Sequence, residues 1–152
     1  MSKLTPFLWF NDNAEEAIRF YLSLFPGSRI ISEQRQGKDG PLFTATIELA
    51  GQRLHLLNGG PHYTLNEAFS LFVDCEDQAE VDALWEKLSD GGQVQMCGWL
   101  KDRFGLSWQI IPKALMRLMR DPDPAKAQRV TQAMLQMKKI DVAQLEAAYR
   151  GA

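Results

Sequence analysis

Apolar and polar positions in the first 58 residues follow the order strand, helix, strand, strand, strand. The apolar run Pro6–Phe10 stops at three polar residues, which is typical of a short strand that ends in a turn. Apolar residues then recur at helical spacing up to Phe25, and Asn13 with Glu16 has the spacing of a capping box. The sequence therefore predicts a helix followed by three strands, at Ser28–Gln36, Leu42–Ala50 and Gln52–Asn58.

The same order begins again after the Gly59-Gly60 segment. Ala68–Cys75 reads as a strand, and Asp77 with Glu80 repeats the cap spacing at the start of a second predicted helix. Three further strands are expected at Gln93–Cys97, Trp99–Arg103 and Leu106–Ile111. When the two halves are aligned so that Leu8 matches Leu71, other apolar positions match as well. This indicates a repeat of the hydrophobic pattern.

After Pro112 the pattern becomes helical. Helices are predicted over Lys113–Arg120, from Asp123 with Pro124 at the first helical position, and from Asp141 through Tyr149. Four methionines lie in pairs three residues apart in this tail, and we expect them to pack against the sheet or a second subunit: Met116, Met119, Met134 and Met137.

Composition narrows the class of protein. A chain of 152 residues with 45% hydrophobic and 24% charged residues suits one globular domain, and a net charge of −2 argues against nucleic acid as a partner. No run reaches the roughly 18 apolar residues of a membrane span, and no signal peptide is evident. We therefore expect a soluble, cytoplasmic protein whose Cys75 and Cys97 are reduced thiols, a disulfide or catalytic thiol being the alternative.

Several stretches resemble a known group of proteins. PFLWF, AEEAIRFY, VDCEDQAEVDALWEKL and above all CGWLKDRFGLSWQIIP (Cys97–Pro112) resemble the PhnB-like branch of the vicinal oxygen chelate superfamily. This branch carries the label 3-demethylubiquinone-9 3-methyltransferase and is related to glyoxalase and bleomycin-resistance proteins. The resemblance covers Leu4 to Pro112. The methyltransferase label lacks support in the residues, because no Gly-rich strand-to-helix loop with a following acidic residue is present to hold an adenosyl cofactor.

The resemblance implies an α+β fold. Two βαβββ modules, at residues 1–60 and 61–112, would form an incomplete eight-stranded barrel-like cleft, with a C-terminal helical extension at 113–152 and one structural domain overall. Such proteins are commonly homodimers. Whether the helices of the extension pack on their own subunit or on the partner is left open by the sequence.

The resemblance also implies where a metal would be held. In metal-using members the ligands come from the first and fourth strands of each module, which map to Thr5 or Phe7, His55 or Leu57, Ala68, and Gln109. Divalent ions of this class need three or four imidazole or carboxylate ligands, whereas these positions supply one imidazole and one carboxamide. The prediction is a cleft without a metal or other cofactor, with a divalent metal as the alternative.

Strand alternation, combined with the resemblance, selects the residues that line the cleft. We predict ligand-binding roles for Trp9, His55, Ser70, Trp99 and Gln109, and a possible acid/base role for Glu48. The two tryptophans would offer flat walls, and Gln109 would orient a ligand as a neutral donor and acceptor.

Each candidate also has a plainer interpretation. His55 lies between leucines, as a core histidine would, and Glu48 could sit on a solvated strand face. Gln109 could merely satisfy a buried backbone group. The adjacent Asp102 and Arg103 are expected to form surface pairs of little energetic weight.

Two functions are carried forward. The first is a glyoxalase- or bleomycin-resistance-like protein that binds a small planar or hydrophobic molecule. The alternative is a metal-dependent lyase, isomerase or dioxygenase of the vicinal oxygen chelate type, so the sequence leaves open whether the chain is an enzyme. A purely structural or regulatory dimer, whose cleft is filled by its own side chains, is a third possibility.

Overall fold

The computed structural model describes residues 2–152, which form two compact units, one up to Leu65 and one from Asn66 onward. The first unit contains β1 (Phe7–Phe10), α1 (Ala14–Leu24), β2 (Arg29–Arg35), β3 (Leu42–Leu49) and β4 (Gln52–Asn58). The second contains β5 (Ser70–Cys75), α2 (Gln78–Ser89), β6 (Gln93–Val94), β7 (Trp99–Lys101), β8 (Ser107–Pro112), α3 (Lys113–Met119), α4 (Pro124–Leu135) and α5 (Val142–Arg150).

The first unit is a mixed sheet with its core on one face. The strand order is β1-β4-β3-β2, with β1 parallel to β4 and the remaining neighbours antiparallel. Alternate residues are buried along β3, as the sequence predicted, and Leu8 and Phe10 of β1 are each only 2% exposed. Buried residues of α1 complete this core, so the opposite face of the sheet is left for other contacts: Ala14, Ala17, Ile18 and Tyr21.

The N-terminus of α1 is capped by a residue that the sequence pattern did not indicate. The predicted Asn13–Glu16 capping box is wrong, since the Asn13 side chain makes no cap hydrogen bond in the described structure. Instead Asn58 Oδ1, at the end of β4, accepts from the Ala14 backbone N–H at 2.9 Å, and Asn58 Nδ2 donates to the Leu42 carbonyl at 3.0 Å. One amide thereby joins helix and sheet.

The second unit repeats the order of the first. Its sheet runs β5-β8-β7-β6, with β5 parallel to β8, and the cap predicted for α2 is confirmed because Asp77 Oδ1 accepts from the Glu80 N–H at 3.0 Å. The predicted α+β fold, with two βαβββ modules and C-terminal helices, is confirmed. Three predicted strands were too long: β5 begins at Ser70 because Ala68 lies in a turn closed by Asn66, and β6 and β7 end at Val94 and Lys101.

The C-terminal helices pack on the second unit of the same chain. A buried apolar cluster joins the end of β8 to α3–α5, and it consists of Ile111, Leu115, Leu118, Val130, Met137, Ile140 and Leu145. The backbone N–H groups of Cys97 and Gly98 donate to the carbonyls of Met137 and Lys138, at 2.7 and 2.8 Å. Met137 belongs to this cluster and Met119 and Met134 pack against it, whereas Met116 is 36% exposed, so the methionines contact mainly the helices of the extension and not the sheet.

The turn between β7 and β8 contradicts the expectation of surface ion pairs. Asp102 is only 3% exposed, and its Oδ1 accepts from the backbone N–H groups of Phe104 and Leu106, at 2.8 and 3.1 Å. Its Oδ2 accepts from Nε1 of the buried Trp108. The guanidinium of Arg103 lies over the Phe104 ring, 4.6 Å from its centroid. Asp102 is therefore a structural acceptor for the turn.

Within residues 2–152, no helix combines the length and apolar character that crossing a membrane requires.

Candidate functional site

In the first unit the candidate residues share the sheet face that points away from α1. Register places Phe7 opposite His55, Trp9 opposite Leu57, and His55 opposite Thr46. Since paired residues of neighbouring strands point to the same side, these side chains form one surface. His55 and Leu57 share this face, since Leu54 and Leu56 are buried on the other.

His55 is half-buried and held by a neighbouring hydroxyl. Its Nδ1 lies 2.8 Å from Thr46 Oγ1, and the Phe7 ring stands 5.9 Å away between centroids at a tilt of 55°. Because Phe7 is 58% exposed, the imidazole is bordered by an apolar ring that faces solvent. The hydroxyl fixes the orientation of the imidazole ring. Such a fixed ring is consistent both with a histidine that contacts a ligand and with one that has only a structural role.

Trp9 is fixed by the loop that follows β4. Its Nε1 donates to the Gly60 carbonyl at 2.9 Å, and the Tyr63 ring meets it edge-on, with centroids 4.9 Å apart at 84°. A Cβ on Gly59 would lie only 2.4 Å from Trp9 Cζ2, so the glycine is required for this close approach. The indole is thus held in one orientation and its polar atom is already satisfied, while its role as a flat wall for a ligand stays a prediction.

Glu48 pairs with a cation on the neighbouring strand. Arg29 lies directly opposite Glu48 in the β2–β3 register, and Nη2 and Oε2 are 3.5 Å apart, with the side chains 62% and 33% exposed. This arrangement supports the interpretation of a solvated strand face, and the acid/base role stays a prediction.

In the second unit a carboxamide lies between two aromatic residues. Gln109 of β8 stands opposite Phe72 of β5 on one side and Trp99 of β7 on the other. Gln109 Nε2 donates to Ser70 Oγ at 2.9 Å, and Phe72 is 49% exposed while Trp99 is half-buried. Three predicted ligand residues, Ser70, Trp99 and Gln109, are therefore brought together. We call Phe72, Gln109 and Trp99 the aromatic–amide row.

Two residues of this surface were not singled out by the sequence analysis. Phe72 lies in an apolar strand, from which its exposure could not be predicted. Ser107 lies opposite both Ser70 and Lys101 and is 0% exposed, and its Oγ is the one buried side-chain polar atom of residues 2–152 without a hydrogen-bond partner. The only sequence signal for Ser107 was its position two residues before Gln109, which places both side chains on the same face of the strand.

Ion pairs lie at opposite ends of the second sheet. Glu67 accepts from Lys101 Nζ at 3.1 Å and from Gln95 Nε2 at 3.1 Å, and these contacts lower the pKa of the Glu67 carboxyl. Lys113 pairs with Asp74, which raises the pKa of the ammonium group. Both carboxylates are therefore engaged by cations of their own unit.

The donor set of each unit does not fit a divalent metal ion. The mapped ligand positions hold Thr5 or Phe7 and His55 or Leu57 in the first unit, and Ala68 and Gln109 in the second. The His55 ring already contacts the Thr46 hydroxyl. Residues 2–152 contain no group of three or more His, Cys, Asp or Glu side chains placed to share an ion. The metal-free site stays a prediction, and no chemical step is assigned to a metal.

The chain is similar to a described family and to several solved structures. The model of the family described as 3-demethylubiquinone-9 3-methyltransferase matches residues 2–111. The PhnB protein from Bacillus cereus is 35% identical, with 73% of this chain and 99% of that chain covered and a TM-score of 0.68. A search of curated proteins found no match.

Two more distant structures share the fold. Protein PA1353 from Pseudomonas aeruginosa is 22% identical over 74% of this chain and 98% of that chain, with a TM-score of 0.63. The fosfomycin resistance protein FosX from Listeria monocytogenes, solved with Mn(II) and sulfate, is 14% identical over 71% and 89%, with a TM-score of 0.52. At these identities the likeness establishes the fold alone.

Proposed function

The chain belongs to the 3-demethylubiquinone-9 3-methyltransferase family, a PhnB-like branch of the vicinal oxygen chelate superfamily, and from this premise we propose that it binds a small planar or hydrophobic molecule. The proposed ligand lies on the aromatic–amide row of the second sheet. No metal takes part in the binding. We further propose that the protein acts as a homodimer, as members of this superfamily commonly do.

The observation that carries the proposal is the position of Gln109. Its carboxamide donates to Ser70 at 2.9 Å and lies directly between Phe72 and Trp99. Among residues 2–152 no protein group donates to its Oε1, so the carbonyl is available to a ligand. Two aromatic side chains with one oriented polar group between them match the usual composition of small-molecule sites.

The family's name is a poor guide to the chemistry of this chain. A methyltransferase needs a site for its adenosyl cofactor, which commonly includes glycines at a strand-to-helix turn. In this protein β1 leads into α1 through Asn11-Asp12-Asn13, and β5 leads into α2 through Glu76-Asp77. Neither turn contains a glycine, and the second presents two carboxylates. The residues at these turns do not fit that cofactor.

Binding of planar probes to the purified protein tests the proposal. Quenching of tryptophan fluorescence by neutral 2-naphthalenemethanol would measure affinity in the wild type, Gln109→Ala and Trp99→Phe. We expect Gln109→Ala to weaken binding about five- to tenfold, the usual effect of losing one ligand hydrogen bond. Gln128→Ala is the matched control because Gln128 is exposed on α4.

Two results would count against the proposal. One is affinity that does not change in Gln109→Ala and Trp99→Phe, which would place the probe elsewhere. The other is a stoichiometric divalent metal in protein purified without chelators, which would favour the metal-dependent lyase, isomerase or dioxygenase instead. Sedimentation equilibrium measures the oligomeric state, and a monomer at micromolar concentration would contradict the dimer.

A further inference from the structure

The second unit contains an open groove of about 600 Å³ beside the aromatic–amide row. Strand β5 supplies one wall and helix α3 supplies the other. Its lining consists of Phe72, Asp74, Lys113, Met116, Arg117 and Arg120, and we call it the cationic groove. Its volume lies in the range of sites for small molecules.

Helix α3 lines the groove because its two faces differ. Leu115 and Leu118 point into the buried C-terminal cluster and are 3% and 8% exposed. Lys113, Met116, Arg117 and Arg120 occupy positions i, i+3, i+4 and i+7, so they share the opposite face. The packing of the leucines thereby holds the cationic face over β5.

The three cations of the groove differ in how far they are neutralised. Lys113 pairs with Asp74, and its Nζ lies 3.5 Å from Glu76 Oε1. Arg117 reaches Glu146 only at 3.9 Å, with a side chain that is 68% exposed. Arg120 has no carboxylate within 4.0 Å among residues 2–152, and its neighbour Asp121 accepts from the Tyr149 hydroxyl at 2.7 Å. Two guanidinium groups are therefore available to an anion.

The rest of the lining is apolar and faces solvent. Phe72 is 49% and Met116 36% exposed. A flat ring in contact with Phe72 and the Met116 thioether would bury this exposed apolar surface. The groove thus joins an apolar floor to a cationic end.

We propose that the cationic groove binds the anionic end of a planar organic anion, such as an aromatic carboxylate or phosphate. Guanidinium groups suit both anions because their paired N–H donors match two oxygens of either. The inference rests on the proposed function, since Phe72 belongs both to the groove and, opposite Gln109, to the aromatic–amide row. It goes beyond the family, because Lys113, Arg117 and Arg120 lie outside the matched residues 2–111.

The test compares matched probes on the full-length protein. The dissociation constants of 2-naphthoate, 2-naphthyl phosphate, neutral 2-naphthalenemethanol and inorganic phosphate would be measured by calorimetry in the wild type, in Arg117→Gln/Arg120→Gln and in Gln109→Ala. We expect at least one naphthyl anion to bind about tenfold more tightly than the alcohol. The double variant should lose this preference while binding the alcohol as before. Arg150→Gln, an exposed arginine at the end of α5, is the control.

Salt provides a second measurement. Exposed ion pairs are screened, so 0.5 M NaCl should reduce the preference for the anion in the wild type and leave the affinity for the alcohol unchanged. The better of the two naphthyl anions identifies the anionic group. Binding of inorganic phosphate as tight as that of 2-naphthyl phosphate would overturn the planar part of the inference.

The failures of the two proposals are distinguishable. Equal affinity for anion and alcohol, or an anion preference that survives in Arg117→Gln/Arg120→Gln, overturns the cationic groove and leaves the aromatic–amide row standing. An arginine-dependent preference, combined with affinities for the naphthyl anion and the alcohol that Gln109→Ala does not weaken, retains the groove and overturns the row. Failure of every naphthyl probe to bind the wild type overturns both.

Discussion

The indole Nε1 of Trp108 donates to Oδ2 of Asp102 at 2.9 Å, and both side chains are buried, 1% and 3% exposed. The other carboxylate oxygen accepts from the backbone N–H groups of Phe104 and Leu106. One carboxylate therefore organises the β7–β8 turn and ties it to the core face of β8. Since β8 also carries Gln109, this contact supports the register of the candidate site.

Asp102→Asn should destabilise the protein by about 2 to 3 kcal/mol, because an amide nitrogen cannot accept from the indole and a buried donor is left unpaired. Urea unfolding followed by tryptophan fluorescence measures the change. Asp39→Asn, in the exposed β2–β3 loop, controls for the loss of a charge and should change the free energy of unfolding by less than about 0.5 kcal/mol. Equal stability of the two variants would show that Asp102 is not a structural acceptor.

Asp102 also shows where prediction from the sequence stopped. Two adjacent charges in a turn are typical of a surface pair. Their spacing in the sequence does not indicate that the carboxylate will be buried and bound by the indole of a later residue. The strands and their faces were predictable, because alternation is a local property of the chain, as Leu8, Phe10 and the β3 residues show.

Asn58→Ala should cost about 1 to 2 kcal/mol of unfolding free energy, because it removes the acceptor of the Ala14 N–H and the donor to the Leu42 carbonyl. Asn13→Ala is the matched control, since the Asn13 side chain makes no cap hydrogen bond in the described structure. Thermal and urea unfolding should show a clearly lower free energy of unfolding for Asn58→Ala than for Asn13→Ala. The reverse order would support the capping box that the sequence predicted.

The cap of α1 was missed for a general reason. Asn13 has the right residue type and spacing, but a residue at the end of β4 reaches the same N–H group once the sheet forms. Asp77, by contrast, caps α2 as predicted. Tertiary contacts can replace a local cap, and a single sequence does not reveal where they do.

Gly59→Ala should displace the Trp9 indole, because the new Cβ would lie 2.4 and 2.5 Å from Cζ2 and Cε2 of the ring. Overpacking of this kind costs about 1 to 3 kcal/mol. The Trp9 fluorescence and the unfolding midpoint measure the effect. In a Trp9→Val background the added methyl has room, so Gly59→Ala should there cost much less. An equal cost in both backgrounds would place the strain in the backbone.

The candidate site was predictable in its residue types and faces but not in its partners. Gln109 and Ser70 were both assigned to the cleft, and the structure joins them by a hydrogen bond. The contact of Trp9 with Gly60, the pairing of Glu48 with Arg29 and the exposure of Phe72 depend on loops and register that alternation alone does not define.

Cys75 should resist alkylation and should make the protein less stable at alkaline pH. Burial, followed by the charge of Glu80, raises the pKa of the Cys75 thiol to about 12, and the side chain is 0% exposed. Above pH 9 the unfolded chain releases this proton while the folded chain retains it, so the free energy of unfolding falls as the pH rises from about 9 to 12.

Replacing the thiol isolates its contribution. Cys75→Ala should show a shallower loss of stability between pH 9 and about 12 than the wild type, and Cys97→Ala, which leaves Cys75 in place, should follow the wild-type slope. In the native protein at pH 8, iodoacetamide should modify the partly exposed Cys97 first, as mass spectrometry of the peptides would show. Parallel pH profiles of Cys75→Ala and the wild type, or early labelling of Cys75, would contradict a buried neutral thiol at the end of β5.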